Sequence, residues 1–147
     1  MVKHKVEEIT LSSKSHDLES ALSKIAISMF DIVVNTNEIE LITTKIIIIR
    51  ARDLKNLLYQ FLKRLFDLAS NELFVLSNIK KITIEQVSNE YLLNAIIIGD
   101  KIKPEYTIKD IVKQITDRNI AIKEDREGTL AQINIVVERR NIEEDEI

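Results

Sequence analysis

The sequence predicts an α+β fold in which two amphipathic helices pack on mostly antiparallel β-sheet. Three observations predict it. Apolar residues recur at helical spacing in only two long stretches, the other apolar runs are short or alternate as in strands, and the later strands are joined by short turns. The 147 residues suffice for one domain with a substantial core, which we assign to residues 1–138. Residues 139–147 form a charged tail that we expect to be disordered.

Residues 50–69 carry the strongest helical pattern in the chain. Their apolar side chains recur at steps of three and four residues and form one broad face: Leu54, Leu57, Leu58, Phe61, Leu62, Leu65, Phe66 and Leu68. Asp53 precedes the first of them, where its carboxylate can accept hydrogen bonds from the free amides of the first turn. Burial of each Leu or Phe would contribute roughly 1.5–3 kcal/mol, so the pattern predicts a core helix.

The N-terminal half alternates strands with helices. Residues 2–11 have strand character, and the serine-rich residues 12–15 are expected to end that strand. Asp17 can cap a first helix with a buried stripe of Leu18, Leu22, Ile25, Ala26, Met29, Phe30 and Val33. A second strand is predicted for residues 39–50. Its run at residues 46–49 is apolar on both faces, which is typical of a central strand with cover on either side.

The C-terminal half consists mainly of strands. Residues 79–87 and 91–98 alternate about a polar turn and predict an antiparallel hairpin. Residues 106–116 satisfy helical and strand spacing alike, so periodicity leaves both open. Strands are predicted for residues 120–123 and 130–138. The last strand is expected to bury Ala131, Ile133, Ile135 and Val137 and to place Gln132, Asn134 and Glu138 on its other side.

Composition narrows the classes of function. The net charge is −3 with a pI near 5.5, so no basic field exists to attract a nucleic-acid backbone, and strong direct RNA or DNA binding is not expected. The aliphatic runs are too short to cross a bilayer and the N-terminus lacks the apolar centre of a signal peptide, so we expect a cytoplasmic protein. Enrichment in Ile, Lys and Glu suits a thermophile, although a biased genome composition gives the same picture.

Sequence motifs of common enzymes are absent. The chain has no Walker-type loop, no GxGxxG, no GxSxG, no cysteine and only two histidines, His4 and His16. A histidine-rich metal centre or a serine-histidine triad therefore lacks its residues, and we expect no stand-alone enzymatic activity.

Several local strings resemble the archease family over most of the chain. Residues 17–22, followed by Met29-Phe30, look like the family's first helix, and residues 53–66 look like its second. The string VKQIT at residues 112–116 resembles the family's VKAVT segment. The string IVVE at residues 135–138 stands where archeases have an apolar strand that ends in Asp. The chain is identified as a divergent member.

The resemblance implies a function. Archeases assist the GTP-dependent, RtcB-type RNA ligase of tRNA splicing, so the expected partner is that ligase. The expected role is to promote its guanylylation and multiple turnover, with GTP and a divalent metal. The alternative is a non-catalytic binding or structural module that keeps the archease scaffold and has lost the metal site.

The resemblance also points to candidate site residues. Archeases hold a metal with the Asp of a HTAD-like motif and the Asp that ends the last strand, and ungapped counting places Glu8 and Glu138 at these positions and Lys5 at the motif's His. Two carboxylates with carbonyls and water suit Ca²⁺, Mg²⁺ or Mn²⁺. Arg118 replaces a His that often follows the VKAVT segment. Glu7 is the rival if the register slips by one, and ordinary solvated strand-end acids are the alternative reading.

Lys113 matches a lysine that is linked to activity in archeases. Its strand neighbours Ile111 and Ile115 are apolar, so as a strand residue Lys113 would either extend its ammonium to solvent or meet a carboxylate. Near Glu8 and Glu138, its ammonium could organise the site or contact a phosphate or an acidic partner.

Overall fold

Two helices and two antiparallel sheets make up the fold, so the predicted α+β class is confirmed. The structure is a computed structural model and describes residues 3–141. Its elements follow in the order β1 (Lys3–Ser15), α1 (Leu18–Val33), a single 3-10 turn (Thr36–Glu38), β2 (Thr43–Ala51), α2 (Leu54–Glu72), β3 (Phe74–Val87), β4 (Glu90–Lys101), β5 (Ile111–Ile115), β6 (Ala121–Asp125) and β7 (Gly128–Asn141).

The larger sheet is built around the last strand. β7 pairs with β1 from Thr129 to Asn141, while β5 and β6 pair with separate stretches of its other side. The first and last strands are therefore neighbours, which a site shared by Glu8 and Glu138 requires. The second sheet has three strands in the order β2-β4-β3, and β3 with β4 forms the predicted hairpin.

The helices begin at the predicted aspartates. Asp17 accepts a hydrogen bond from the Ser20 amide at 2.8 Å, and Asp53 accepts one from the Asn56 amide at 2.7 Å. Both helices contact strands of both sheets, so they lie between the inner faces of the two sheets. Within residues 3–141, neither helix is long and apolar enough to span a membrane.

One core joins the two sheets and the helices between them. Its fully buried side chains include Leu22 and Ile25 of α1, Leu57, Leu58, Phe61, Leu62 and Leu65 of α2, and Ile47, Leu93, Ile97, Ala131, Ile133, Ile135 and Val137 of the sheets. The predicted buried side of the last strand is thus confirmed. Each strand directs alternate side chains into this core and the others outward.

Two strand ends differ from the sequence-based expectation, and the structure decides the segment that periodicity left open. The serines at 12–15 do not end β1, because pairing with β7 continues to Ser15. Within residues 106–116 only Ile111–Ile115 is regular, and it is a strand. The last strand continues to Asn141 through pairing with the start of β1, so the tail cannot begin at residue 139. The other tail residues, 142–147, lie outside the described residues.

The expectation of a central, covered strand at residues 46–49 is wrong. β2 lies at the edge of its sheet, and Ile46 and Ile48 are 70% and 54% exposed. Only Ile47 and Ile49 face the core. Apolarity on both faces predicts cover on both faces, but within residues 3–141 the outer face has no cover.

Candidate functional site on the outer face of the larger sheet

The two acids predicted to bind a metal lie on the same face of the four-stranded sheet. Glu8 lies opposite Val136 and Glu138 lies opposite Val6, and opposite residues of antiparallel strands point to the same side. The two acids are therefore diagonal neighbours on the side that faces away from the helices. We call this side the polar face. Its polar side chains include His4, Glu8, Thr10, Lys113, Arg118, Asn119, Gln132, Asn134 and Glu138.

Glu8 is held by a guanidinium and an amide. The Arg118 Nη2 donates to Glu8 Oε1 at 2.7 Å, and its Nε lies 3.0 Å from both carboxylate oxygens. The side-chain amide of Asn134 donates from Nδ2 to Glu8 Oε2 at 2.7 Å. These hydrogen bonds, the one from Arg118 foremost, hold the pKa of the Glu8 carboxyl below its ordinary value. The carboxylate is therefore ionised at neutral pH and already has a cation beside it.

Glu138 lies between two other basic side chains. His4 Nδ1 is 3.1 Å from Glu138 Oε2, and Lys113 Nζ is 3.8 Å from Glu138 Oε1. The Glu138 side chain is only 20% exposed, whereas that of Lys113 is 49% exposed. The predicted proximity of Lys113 to an acid is thus observed for Glu138.

A β-bulge explains why Lys113 reaches the polar face. The pairing of β5 with β7 shifts register between Val112 and Gln114, which leaves Lys113 as the extra residue. Beyond the bulge Ile115 points into the core, while before it Ile111 points outward. Lys113 therefore does not share a buried face with its two apolar neighbours, as strict alternation would require.

Arg118 is positioned by the loop that joins β5 to β6. The hydroxyl of Thr116, which is buried, donates to the Asn134 carbonyl at 2.7 Å and accepts from the Arg118 amide at 3.0 Å. The backbone N–H of Asn134 donates to the backbone carbonyl of Arg118 at 3.0 Å. Asn119 follows at a φ of 55°, a left-handed conformation that Asn tolerates well. The loop is thus tied to β7 where neither β5 nor β6 pairs with it.

A chain of amide and hydroxyl groups extends the polar face along the sheet. The Asn119 amide lies 3.1 Å from Asn134 Oδ1 and 3.2 Å from Thr10 Oγ1, and the Thr10 hydroxyl donates to Asn134 Oδ1 at 2.6 Å. Gln132 donates to Asn119 Oδ1 at 2.9 Å. Through Asn134, this chain reaches the Glu8 carboxylate and fixes its orientation.

Glu7, the rival ligand, lies on the other face. It is opposite Val137 and accepts a hydrogen bond from Arg139 Nε at 2.9 Å. Arg139 also donates to Asp110 at 3.3 Å, so it joins the end of β7 to the segment before β5. Glu7 therefore acts in an ion pair apart from the polar face.

The residues as arranged do not form a metal centre. Both oxygens of Glu8 are occupied by Arg118 and Asn134, and Glu138 is flanked by His4 and Lys113. Among the described residues no group of three or more His, Cys, Asp or Glu side chains could hold a metal ion. A divalent cation would have to displace Arg118, and the metal ligation by Glu8 and Glu138 stays a prediction.

Sequence reasoning found part of this site. It singled out Glu8, Glu138 and Lys113, and it noted Arg118 only as the residue in place of a family His. The partnership of Arg118 with Glu8 was missed because 110 positions separate the two residues. The outward position of Asn134 was predicted, but its bond to Glu8 depends on strand register, which the sequence did not supply.

Comparison with known proteins gives one family. The family model described as Archease protein family (MTH1598/TM1083) matches residues 8–137. The chain is 31% identical to "Protein archease" of Pyrococcus abyssi over 122 residues, which cover 82% of this chain and 85% of that protein. It is 33% identical to "Protein archease" of Pyrococcus furiosus over 117 residues, with 79% and 82% covered.

A solved structure shares the fold. The solution structure of Methanobacterium thermoautotrophicum protein 1598 superposes with a TM-score of 0.71 and covers 91% of this chain and 96% of that one. The sequence identity is 22%, so this likeness concerns the fold.

Proposed function

The chain belongs to the archease family, and on that premise we propose that it is an accessory factor for the GTP-dependent RNA-splicing ligase of tRNA splicing. In this proposal the chain does not catalyse a reaction itself. It binds the ligase, promotes guanylylation of the ligase and sustains its multiple turnover. Family membership supports the accessory role in tRNA splicing in general, and the guanylylation step is our specific proposal.

The polar face is the surface that we assign to this role. It brings Lys113 and Glu138 together 3.8 Å apart and places the Glu8–Arg118 ion pair on the same side of the sheet. This convergence of residues from both ends of the chain is the observation that carries the proposal. Exposed ion pairs are weak, roughly 0–1 kcal/mol each, so their members can change partners at little cost when a charged protein surface approaches.

The action on the ligase follows from differential binding. A partner shifts a conformational equilibrium only by as much as it prefers one state over the other. The accessory factor would therefore have to bind the guanylylation-competent ligase more tightly than its resting form, through contacts that Lys113 and Glu138 make in one state only.

Ligation with substoichiometric ligase tests the proposal. We expect the wild-type chain to raise both the rate of guanylate transfer from GTP and the number of turnovers per ligase. Lys113→Ala and Glu138→Ala should reduce the stimulation at least about tenfold, which corresponds to roughly 1.4 kcal/mol. Glu85→Ala, at an exposed acid on the other sheet, is the matched control and should stimulate normally. An unchanged rate of guanylate transfer with the wild-type chain would refute the role.

The second candidate is a non-catalytic binding or structural module that has kept the scaffold without the metal site. The bidentate hydrogen bonds of Arg118 to Glu8 favour it, because a guanidinium already occupies the carboxylate. Such a module would bind the ligase without accelerating guanylate transfer. Co-purification of the two proteins in a mixture that shows no stimulation would support this second candidate.

A further inference from the structure

The two edges of the three-stranded sheet are built differently. The β3 edge carries two register irregularities, near Asn78 and between Ile79 and Lys81, and its exposed residues include Lys80 and Glu85. Bulges and charges are the usual means by which a protein prevents an edge strand from pairing with another chain. The β3 edge is therefore protected.

The β2 edge has neither kind of protection in its central part. β2 pairs with β4 without any register shift from Thr43 to Ala51, and its middle is four consecutive isoleucines. On its free side, every second residue directs its backbone N–H and C=O groups away from the sheet. A straight, apolar edge of this kind is a template for another strand.

The outer face of the same sheet is most apolar at the β2 edge. Ile46 and Ile48 of β2 are largely exposed, and Ile96 and Ile98 of the central strand are half-buried beside them. The corresponding outward positions of β3 are polar: Asn78, Lys81, Thr83 and Glu85. A surface with an apolar centre and a polar rim is typical of protein interfaces, and here its centre is the edge itself.

We propose that a second copy of this chain pairs with the β2 edge, antiparallel and about a two-fold axis at Ile47. Ile47 is the central residue of the nine-residue strand, so all nine positions pair, with Thr43 opposite the partner's Ala51. The two three-stranded sheets become one six-stranded sheet. The pairing is isologous, because the same edge serves both copies.

The length of the paired segment favours this register, and its side chains are compatible with it. About Ile47, Ile46 lies opposite the partner's Ile48, and Thr44 lies opposite the partner's Arg50. No two basic residues face each other. Lys45 lies opposite the partner's Ile49. A two-fold axis at Ile46 or at Ile48 would shorten the paired segment, because Ile47 is the centre of Thr43–Ala51. The paired isoleucines would form the apolar centre, and the polar β3 strands would lie at the two outer rims.

Sedimentation equilibrium of the 147-residue chain tests the proposal by measuring its molar mass in solution. The concentration range is roughly 1–100 µM, where interfaces of standard size associate. We expect a species of twice the 17.0 kDa chain mass. Ile46→Lys should weaken the dimer at least about tenfold, because it buries an ammonium at the pair centre. Ile46 is 70% exposed in the single chain, so the fold should survive, which a melting curve checks. Val87→Lys, at a 41% exposed position on β3, should leave association unchanged.

Disulfide trapping tests the register. The chain has no cysteine, so an equimolar mixture of Ile46→Cys and Ile48→Cys proteins should form the mixed disulfide in clear excess of the 2:1 ratio to either homodimeric disulfide that random pairing gives. A strictly monomeric wild-type chain over this concentration range would overturn the proposal. The proposal would also be overturned if the chain is monomeric and Ile46→Lys abolishes its stimulation of the ligase. The β2 edge would then contact another protein. An excess of the Ile46→Cys homodimer would overturn the Ile47-centred register.

Discussion

The two sheets have similar inner faces and opposite outer faces. Inside, both present isoleucine, leucine and alanine to the same pair of helices. Outside, the larger sheet carries the polar face, in which Glu8, Arg118 and Asn134 satisfy one another. The smaller sheet carries Ile46 and Ile48, which are largely exposed. Packing in the core requires apolar side chains on both inner faces. The outer faces are not constrained in this way, so we interpret their difference as a difference in what each surface contacts.

The polar face and the β2 edge are suited to different kinds of contact. The polar face already engages charged and amide groups in hydrogen bonds and ion pairs of its own, so a partner would exchange ion pairs with it. The β2 edge has apolar side chains and free backbone groups, so a partner would bury area and complete a sheet there. Charged substitutions are therefore expected to act on function at the polar face and on association at the β2 edge.

The largest expected effect is on the free energy of unfolding, and it should differ between the inner and the outer face of β2. Ile47→Ala should lower the free energy of unfolding by about 2–5 kcal/mol, because Ile47 is 1% exposed and its loss leaves a cavity in the core. Ile46→Ala on the outer face should cost less than about 0.5 kcal/mol in the monomer. Chemical denaturation of both variants at a concentration that keeps the chain monomeric measures the difference. Equal losses would mean that the outer face is covered within the chain.

The next effect concerns the hydroxyl that positions Arg118. Thr116→Val keeps the shape of the side chain and removes two hydrogen bonds from a site that is 2% exposed. We expect a loss of about 1–3 kcal/mol in the free energy of unfolding. The matched control is Thr10→Val, an exposed hydroxyl on the polar face whose removal should cost less. A loss at Thr10 as large as that at Thr116 would contradict the role of burial.

Element types and capping residues were predictable from the sequence because they depend on local spacing. The two helices, their aspartate caps and the buried side of the last strand needed only periods of 3.6 and 2 residues. The edge position of β2 was not predictable, because a strand with two apolar faces has the same pattern whether its cover comes from its own chain or from another. The pattern at residues 46–49 was interpreted as intrachain cover, which the part of the chain that the structure describes does not supply.

The candidate site was predictable only in part, for a related reason. The resemblance placed Glu8, Glu138 and Lys113, and strand pairing brings them to one face. The bulge at Lys113 and the pairing of Arg118 with Glu8 depend on the register between distant strands and on a loop conformation. Neither leaves a periodic signal in the sequence.

A smaller, pH-dependent loss of stability is expected when Tyr106 is changed. Tyr106 lies in the segment between β4 and β5, which connects the two sheets. The Tyr106 hydroxyl donates to Asp100 Oδ2 at 2.6 Å and accepts from the Glu40 amide at 3.0 Å, while Lys103 lies 3.1 Å from Asp100. The hydrogen bond from Tyr106 is the main cause that lowers the pKa of the Asp100 carboxyl below its ordinary value of 3.8. Tyr106→Phe should lower the melting temperature at pH 7 by about 2–5 °C.

The sign of the pH dependence follows from the lowered pKa of Asp100. A carboxyl whose folded-state pKa is depressed contributes stability above its unfolded value, and that contribution disappears as the pH falls through the folded-state pKa. The difference in melting temperature between wild type and Tyr106→Phe should therefore be constant from pH 7 to about 5 and shrink below about pH 4. Melting curves of both proteins across this range measure it. A difference that stays constant into the acid range would show that the Asp100 carboxylate plays no part.

The smallest effect tests whether Arg118 competes with a cation for Glu8. Arg118→Ala should lower the melting temperature by no more than about 2 °C, because the ion pair is exposed. The Glu8 carboxylate, freed of Arg118, could then hold Ca²⁺ or Mn²⁺ together with Glu138 on the same face of the sheet, in place of the contact between Glu138 and Lys113. At a concentration near its dissociation constant, either ion should raise the melting temperature of Arg118→Ala by about 1–2 °C.

Two controls decide this last prediction. The double variant Arg118→Ala/Glu138→Ala should lose the response to the cation, since it retains only one of the two acids. The wild-type chain should respond less than Arg118→Ala, because the guanidinium holds both oxygens of Glu8. An equal response in the wild type would mean that the cation does not compete with Arg118. No response in any of the three would make the predicted metal site wrong and leave the polar face as a surface for protein contacts alone.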